Sequence, residues 1–110
     1  MNFEINENKL EKVIFKYVVN KNYVIKETDN DYYFIENEED EYAQIRVRKS
    51  DKVCVIYYEL TEEIESFFSI EYSMVKDVLT RYVENTLNIE VSNTGQHNAP
   101  IVWNIENTLN

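Results

Sequence analysis

Few residues in this chain combine the type and the spacing that chemistry requires. Ser73-Met-Val-Lys76 matches the S-x-x-K pattern in which a lysine sits beside a serine nucleophile. The companion motifs of that pattern are missing and 110 residues are too few for its fold, so Ser73 reads as a helix-start residue. Asp29-Asn30-Asp31 begins like a calcium loop, but Phe34 stands where that loop needs glycine and the later oxygens fall out of step. His97, the only histidine, lies between Gln96 and Asn98 with no oriented nucleophile to serve. Cys54 is the only cysteine, so neither an internal disulfide nor a zinc site of the usual N/S kind can form in one chain. Gly95 alone cannot supply a glycine-rich phosphate loop. No catalytic residue, metal or cofactor is expected, and the chain is read as a non-enzyme.

What remains is carboxylate. General acid–base work needs one carboxylate singled out by burial or by a neighbour inside a cleft. Nothing in the spacing of the 21 acids marks such a pair. Their distribution is nevertheless uneven. Residues 1–55 carry twelve acids against nine bases, and residues 56–110 carry nine against two. Two windows hold no base: Glu27–Glu41, with eight acids, and Tyr57–Tyr72, with five. The net charge of −10 lies outside the magnitude of about 2–8 that solubility asks of a small domain. Such a surface repels phosphate backbones and anionic membranes, so direct nucleic-acid or membrane binding is not expected. A basic protein partner is.

Tyrosine supplies the second signal. Tyr23, Tyr32, Tyr33, Tyr42, Tyr57 and Tyr58 all fall in strand-like stretches. Alternation sends one member of each adjacent pair, Tyr32/Tyr33 and Tyr57/Tyr58, to the side away from the core. Outward tyrosines beside carboxylates suit a protein interface. The expected partner-binding set is Asp29, Asp31, Tyr33, Glu36, Glu38, Glu39, Asp40, Glu41, Tyr57, Glu59, Glu62, Glu63 and Glu65. A weak cation site among Asp29, Asp31, Glu36, Glu38 and Asp40 competes with an ordinary solvated turn, and the turn is preferred. Arg46, Arg48, Lys49 and Lys52 form the one basic cluster, read as a charged strand end that resists edge pairing.

In size and charge alone the chain resembles toxin-immunity proteins and phage-encoded inhibitors of restriction or CRISPR nucleases, some of which imitate DNA. That resemblance implies neutralisation of a nucleic-acid-handling protein. The alternative is a structural or accessory subunit that forms homo- or hetero-oligomers through an open sheet face. Abundant Lys, Asn and Ile also suit an AT-rich genome, as in many bacteria and phages.

The elements that must position these residues follow from periodicity. Leu10, Val13, Ile14, Tyr17 and Val18 make one helical stripe, with Asn6 or Asn8 as cap and Asn20 and Asn22 as terminators. From Tyr23 the period becomes two, predicting strands near Tyr23–Glu27, Tyr32–Asn37, Tyr42–Arg48 and Lys52–Glu59, joined by short polar turns that fit an antiparallel meander. The last of these is apolar on both sides, as a central strand would be. Thr61 is read as the cap of a short helix, and Ser69 or Ser73 as the cap of another running to Leu87. Asn88–Val91 is read as a short edge strand, and SNTGQHNAP as a turn-rich loop before a Trp103 tail that folds back. The fold class is α+β: an N-terminal helix, a four-stranded antiparallel β-meander, two C-terminal helices packed on one sheet face, and a short C-terminal strand or tail. Residues 1–110 form one domain, with 92–110 as loop and tail. No apolar run approaches bilayer length, and MNFEINENKLEK lacks the basic start and apolar block of a signal peptide, so a cytoplasmic location is expected.

Overall fold

A computed structural model of the chain describes the backbone of residues 3–103 and the side chains of residues 9–103. Helix α1 spans Phe3–Val19. Five strands follow: β1 Val24–Glu27, β2 Asp31–Ile35, β3 Tyr42–Ala43, β4 Ile45–Arg48 and β5 Val53–Tyr57. Then come α2 (Tyr58–Phe68), α3 (Tyr72–Leu87), β6 (Asn93–His97) and β7 (Ile101–Val102). The main sheet has the order β1-β2-β4-β5-β6, and β3 pairs with β7 in a separate ribbon.

The β1-β2-β4-β5 portion is the expected antiparallel meander, with Tyr33 opposite Arg46 and Arg46 opposite Val55. The expected third strand is interrupted at Gln44. Its N–H donates to Phe34 O at 2.8 Å and its carbonyl accepts from Tyr57 N–H at 2.8 Å, so both neighbours stay tied where the strand divides. The sheet gains a fifth strand where a loop was expected. Asn93–His97 pairs with β5 in parallel, after a crossover made of α2 and α3. A parallel neighbour requires a connection of a dozen residues or more, and two helices supply it. The edge strand is therefore not Asn88–Val91. Its NTGQH sequence gives no alternating apolar signal because only Thr94 is buried. Gly95 lies in this strand with a φ that is not positive and open space at its Cβ position.

With a single glycine in the chain, left-handed backbone falls on Asn22, Lys52, Ser69 and Asn88. Ser69 and Asn88 are the C-caps of α2 and α3, so Ser69 ends a helix where a start was expected. Asn6 and Asn8 lie inside α1, which begins at Phe3. Thr61 is no cap either. Helix α2 starts directly from β5, and Thr61 is fully buried, donating to Tyr58 O at 2.7 Å and accepting from Gln96. Its hydroxyl is used to tie α2 to β6. Thr80 and Thr94, 2.7 Å apart, do the same for α3.

All three helices contribute to a core on one face of the sheet. Ile14 and Val18 of α1, Leu60 and Ile64 of α2, and Val75, Val78, Leu79 and Val83 of α3 pack with Phe34, Ile45, Val47, Cys54 and Ile56. A smaller cluster of Tyr33, Ile35, Ala43, Tyr57 and Ile101 lies apart from it, with Trp103 against it. The far face is therefore partly covered rather than open. Among the described residues, no helix is long and apolar enough to cross a membrane.

Phe34 is fully buried, 5.7 Å from the Tyr82 ring. Phe34→Ala should lower the urea-unfolding free energy by about 3–5 kcal/mol. Phe67→Ala, removing a ring that is 68% exposed, should cost about 1 kcal/mol or less.

Candidate acidic binding site

Strands β2 and β5 both run antiparallel to β4 and so point the same way, and β6 is parallel to β5. Three strand ends, the first turn of α2 and the 36–41 loop consequently meet at one end of the sheet. Residues 36–41 of the first base-free window leave β2, and the second window leaves β5, so chain direction alone brings these parts together.

A cleft of about 280 Å³ opens there, lined by Glu36, Asp40 and Glu59 with Tyr42, Gln44, Tyr57 and Pro100. It is smaller than the roughly 300–1,000 Å³ of small-molecule sites and suits a single side-chain head group. Tyr42 is 49% exposed and pairs across the β3–β7 ribbon with Val102, which is also exposed. This gives the acidic cleft an apolar lip. Tyr57 forms part of the wall: burial pushes its phenol up, and the Glu59 carboxylate adds to the shift.

The 36–41 loop is held from both ends. Asp40 accepts the Asn37 N–H at 3.0 Å, the Trp103 indole donates to Asp40 O, and Trp103 N–H donates to Glu41 O at 3.2 Å. The tail thus folds back and fixes the acidic loop. Lys26 pairs with Glu38 and lies 5.6 Å from the Trp103 ring centroid.

On the helix side of the same end, Lys21 joins the two windows, 2.7 Å from Glu63 and 3.8 Å from Glu36. Tyr17 donates to Glu63 as well. Partial burial works to raise the Glu63 carboxyl, but the hydrogen bonds from Lys21 and Tyr17 prevail and lower it. Glu39, Asp40, Glu41, Glu59, Glu62 and Glu65 form no ion pair with a described residue.

The expected partner-binding set divides. Glu36, Glu38, Glu39, Asp40, Glu41, Tyr57, Glu59, Glu62 and Glu63 belong to this end or its flank, and Glu65 lies on α2. Asp29 and Asp31 lie at the other end of β2, roughly 17 Å of strand from Glu36. They cannot share a cation with Glu36, Glu38 and Asp40, and among the described residues no group of three or more His, Cys, Asp or Glu is placed to hold a metal. Asp31 instead receives the Tyr33 hydroxyl at 3.3 Å and lies 3.9 Å from Arg46 Nε. Tyr33 and Tyr57 point away from the helices, as alternation requires, yet are only 4% and 9% exposed because Ile101 and Trp103 pack with them. Tyr42, not singled out from sequence, is the exposed ring. Its signal was its place just after the acid run.

The basic cluster is largely satisfied. Arg48 holds Asp51 through bonds of 3.0 and 2.7 Å, Lys49 reaches Glu27 at 2.6 Å, and Lys52 Nζ donates to Lys49 O at 2.9 Å. Arg46 Nε is buried without a hydrogen-bond partner.

His97 and Cys54 complete the residues of reactive type considered from sequence. His97 is exposed and its Nδ1 accepts the Ala99 N–H at 3.1 Å. Cys54 is buried among core side chains, and burial pushes its thiol up to about 12 against a weaker pull from Thr94. No family model, curated protein or solved structure matches the chain.

Two measurements check this description. Cys54 should resist a disulfide-forming thiol reagent at pH 8 in the native state and react at once in denaturant; rapid native labelling would contradict its burial. The Tyr17 phenol is pushed up to about 12, first by its bond to Glu63 and then by burial. A raised folded-state pKa contributes stability that is complete below the ordinary tyrosine value near 10 and is lost as pH rises toward 12. Glu63→Gln should therefore move one phenolate transition, followed by ultraviolet absorbance, back toward pH 10.

Proposed function

We propose that this chain is a non-enzymatic binding module that grips a basic protein partner at the acidic end of its sheet. The observation that supports this reading best is the meeting of Glu36, Asp40 and Glu59 in one cleft beside exposed Tyr42. Carboxylates from segments far apart in sequence converge there, at the carboxyl ends of β2 and β5, with Lys21 as the described cation beside Glu36. A lysine or arginine head group from the partner would meet carboxylates on the cleft walls and a phenol ring at its lip, the combination that recognises cations. Uncompensated charge on the surrounding rim would steer association, and Tyr42 would supply the desolvated anchor.

The partner class follows from the same chemistry. A surface that presents rows of carboxylates competes for sites that otherwise receive phosphates, so a nuclease or another nucleic-acid-handling protein is the natural target. Occupying such a site blocks it without any reaction. On the far face of the sheet Tyr33, Tyr57 and Ile101 are already covered and Asp31 lies 3.9 Å from Arg46, which leaves less open apolar surface there for the alternative of oligomerisation through that face.

Capture from a bacterial lysate with immobilised protein tests the reading. A basic partner should be retained at about 50 mM salt and released at about 500 mM, where screening reaches only a few ångströms. Tyr42→Ala should weaken the isolated complex by about 2 kcal/mol, roughly 30-fold in Kd. The triple variant Glu36→Gln/Asp40→Asn/Glu59→Gln should lose it while keeping its thermal unfolding midpoint. Salt-independent binding, or full affinity in the triple variant, would refute the proposal.

A further inference from the structure

Residues 56–110 hold only two bases, Lys76 and Arg81, and both line one cavity of about 510 Å³. That cavity is bounded by α3, the start of β6 and Glu11 of α1, and it shares no residue with the acidic cleft. Its charges are mixed. Arg81 Nη2 lies 3.1 Å from Glu11 Oε1, which leaves the other guanidinium donors for a ligand. Lys76 is half-buried and Asp77 exposed, and neither forms an ion pair with a described residue. The cavity therefore offers one unpaired cation and one unpaired anion on adjacent positions of α3.

The hydroxyls of the wall decide what else it accepts. Thr80 donates to Lys76 O at 2.7 Å, so in its 2.7 Å contact with Thr94 it must accept, and Thr94 donates. Ser92 donates to Asp51 O at 2.6 Å. Each hydroxyl has one proton to give, and all three are spent inside the protein. What they have left for a ligand is lone pairs. The wall is also pre-formed: Ser92 N–H donates to Lys52 O at 3.0 Å, and Val91 N–H to Glu84 Oε2 at 2.9 Å.

These features select among ligand classes. Phosphate would meet Lys76 and Arg81 but also two carboxylates and oxygens with no proton to offer. A sugar matches the lone pairs but leaves Lys76 and Asp77 uncompensated as it displaces their water. A zwitterion satisfies both charges. A second cavity of about 250 Å³ shares Glu11 and Arg81 with the first and adds Lys12 and half-buried Phe15, which gives it an apolar wall.

We infer that the groove between α1 and α3 binds a free α-amino acid with an apolar side chain. Its carboxylate meets Lys76 and Arg81, its ammonium meets Asp77 and the spent hydroxyls, and its side chain lies against Phe15. The site stands apart from the proposed function, because none of these residues belongs to the acidic cleft.

An amide NMR titration of the full chain with L-leucine is the test. Signals of residues 76–81 and 91–94 should shift and saturate with a Kd in the millimolar range or below. Two analogues carry one charge each: 4-methylpentanoate lacks the ammonium and 3-methylbutylamine lacks the carboxylate. Each should bind about tenfold more weakly or worse, as the loss of one charged hydrogen-bonding group predicts. Glycine, with no side chain to reach Phe15, should also bind more weakly. Lys76→Met and Asp77→Asn should each raise the Kd for L-leucine about tenfold with the thermal unfolding midpoint little changed. No saturable shift with millimolar L-leucine overturns the inference. So does equal binding of either analogue, or tighter binding of orthophosphate or D-glucose at the same signals.

Discussion

Strand β5 has to be kept from water on both faces, because Cys54 and Ile56 point one way while Val55 and Tyr57 point the other. The three helices close the first face, and Ile101 and Trp103 close part of the second. The edge of β5 must also be satisfied, since an unpaired central edge would leave backbone donors and acceptors buried. The chain meets that need with the α2–α3 crossover and a polar strand laid parallel to β5. Once β6 is in place, three strands end on the same side of the molecule, and the acidic segments that follow two of them have nowhere else to go.

Electrostatics follow the same geometry. At the turn end of the sheet, Glu27, Asp31 and Asp51 sit beside Lys49, Arg46 and Arg48, and local charge nearly cancels. At the other end Lys21 faces both Glu36 and Glu63, and several carboxylates around it find no cation. Crowding like charges in water costs only about 1 kcal/mol per close pair, so the fold tolerates the imbalance. The fixed loop matters more than the cost. Trp103 pins the backbone carbonyls of Asp40 and Glu41, so the segment that carries these carboxylates is held against the tail.

The hydroxyl and amide contacts between layers show how a nearly glycine-free chain is held. Thr61 to Gln96 and Thr80 to Thr94 join the helices to an edge strand with almost no apolar surface of its own. Each uses a group that, read alone, suggests a cap or a turn. Inside the fold these groups satisfy one another and remove the desolvation cost that an unpaired hydroxyl would carry.

Periodicity determined the first helix, the four antiparallel strands and the two later helices, because each buries an apolar stripe that the sequence spells out. The double-sided apolar character of residues 53–57 likewise made that strand central. Composition determined the charge excess and left no cysteine pair for a disulfide and no glycine-rich phosphate loop. The parallel strand was not legible, since NTGQH is held by backbone pairing and by hydroxyls on other elements rather than by apolar alternation. Nor could local pattern say that Tyr33 and Tyr57 would be covered and Tyr42 left exposed, because that depends on where residues 101–103 return. The acidic cleft belongs to the same class: its carboxylates were visible one by one, but only the shared direction of β2 and β5 puts Glu36 and Glu59 on the same wall.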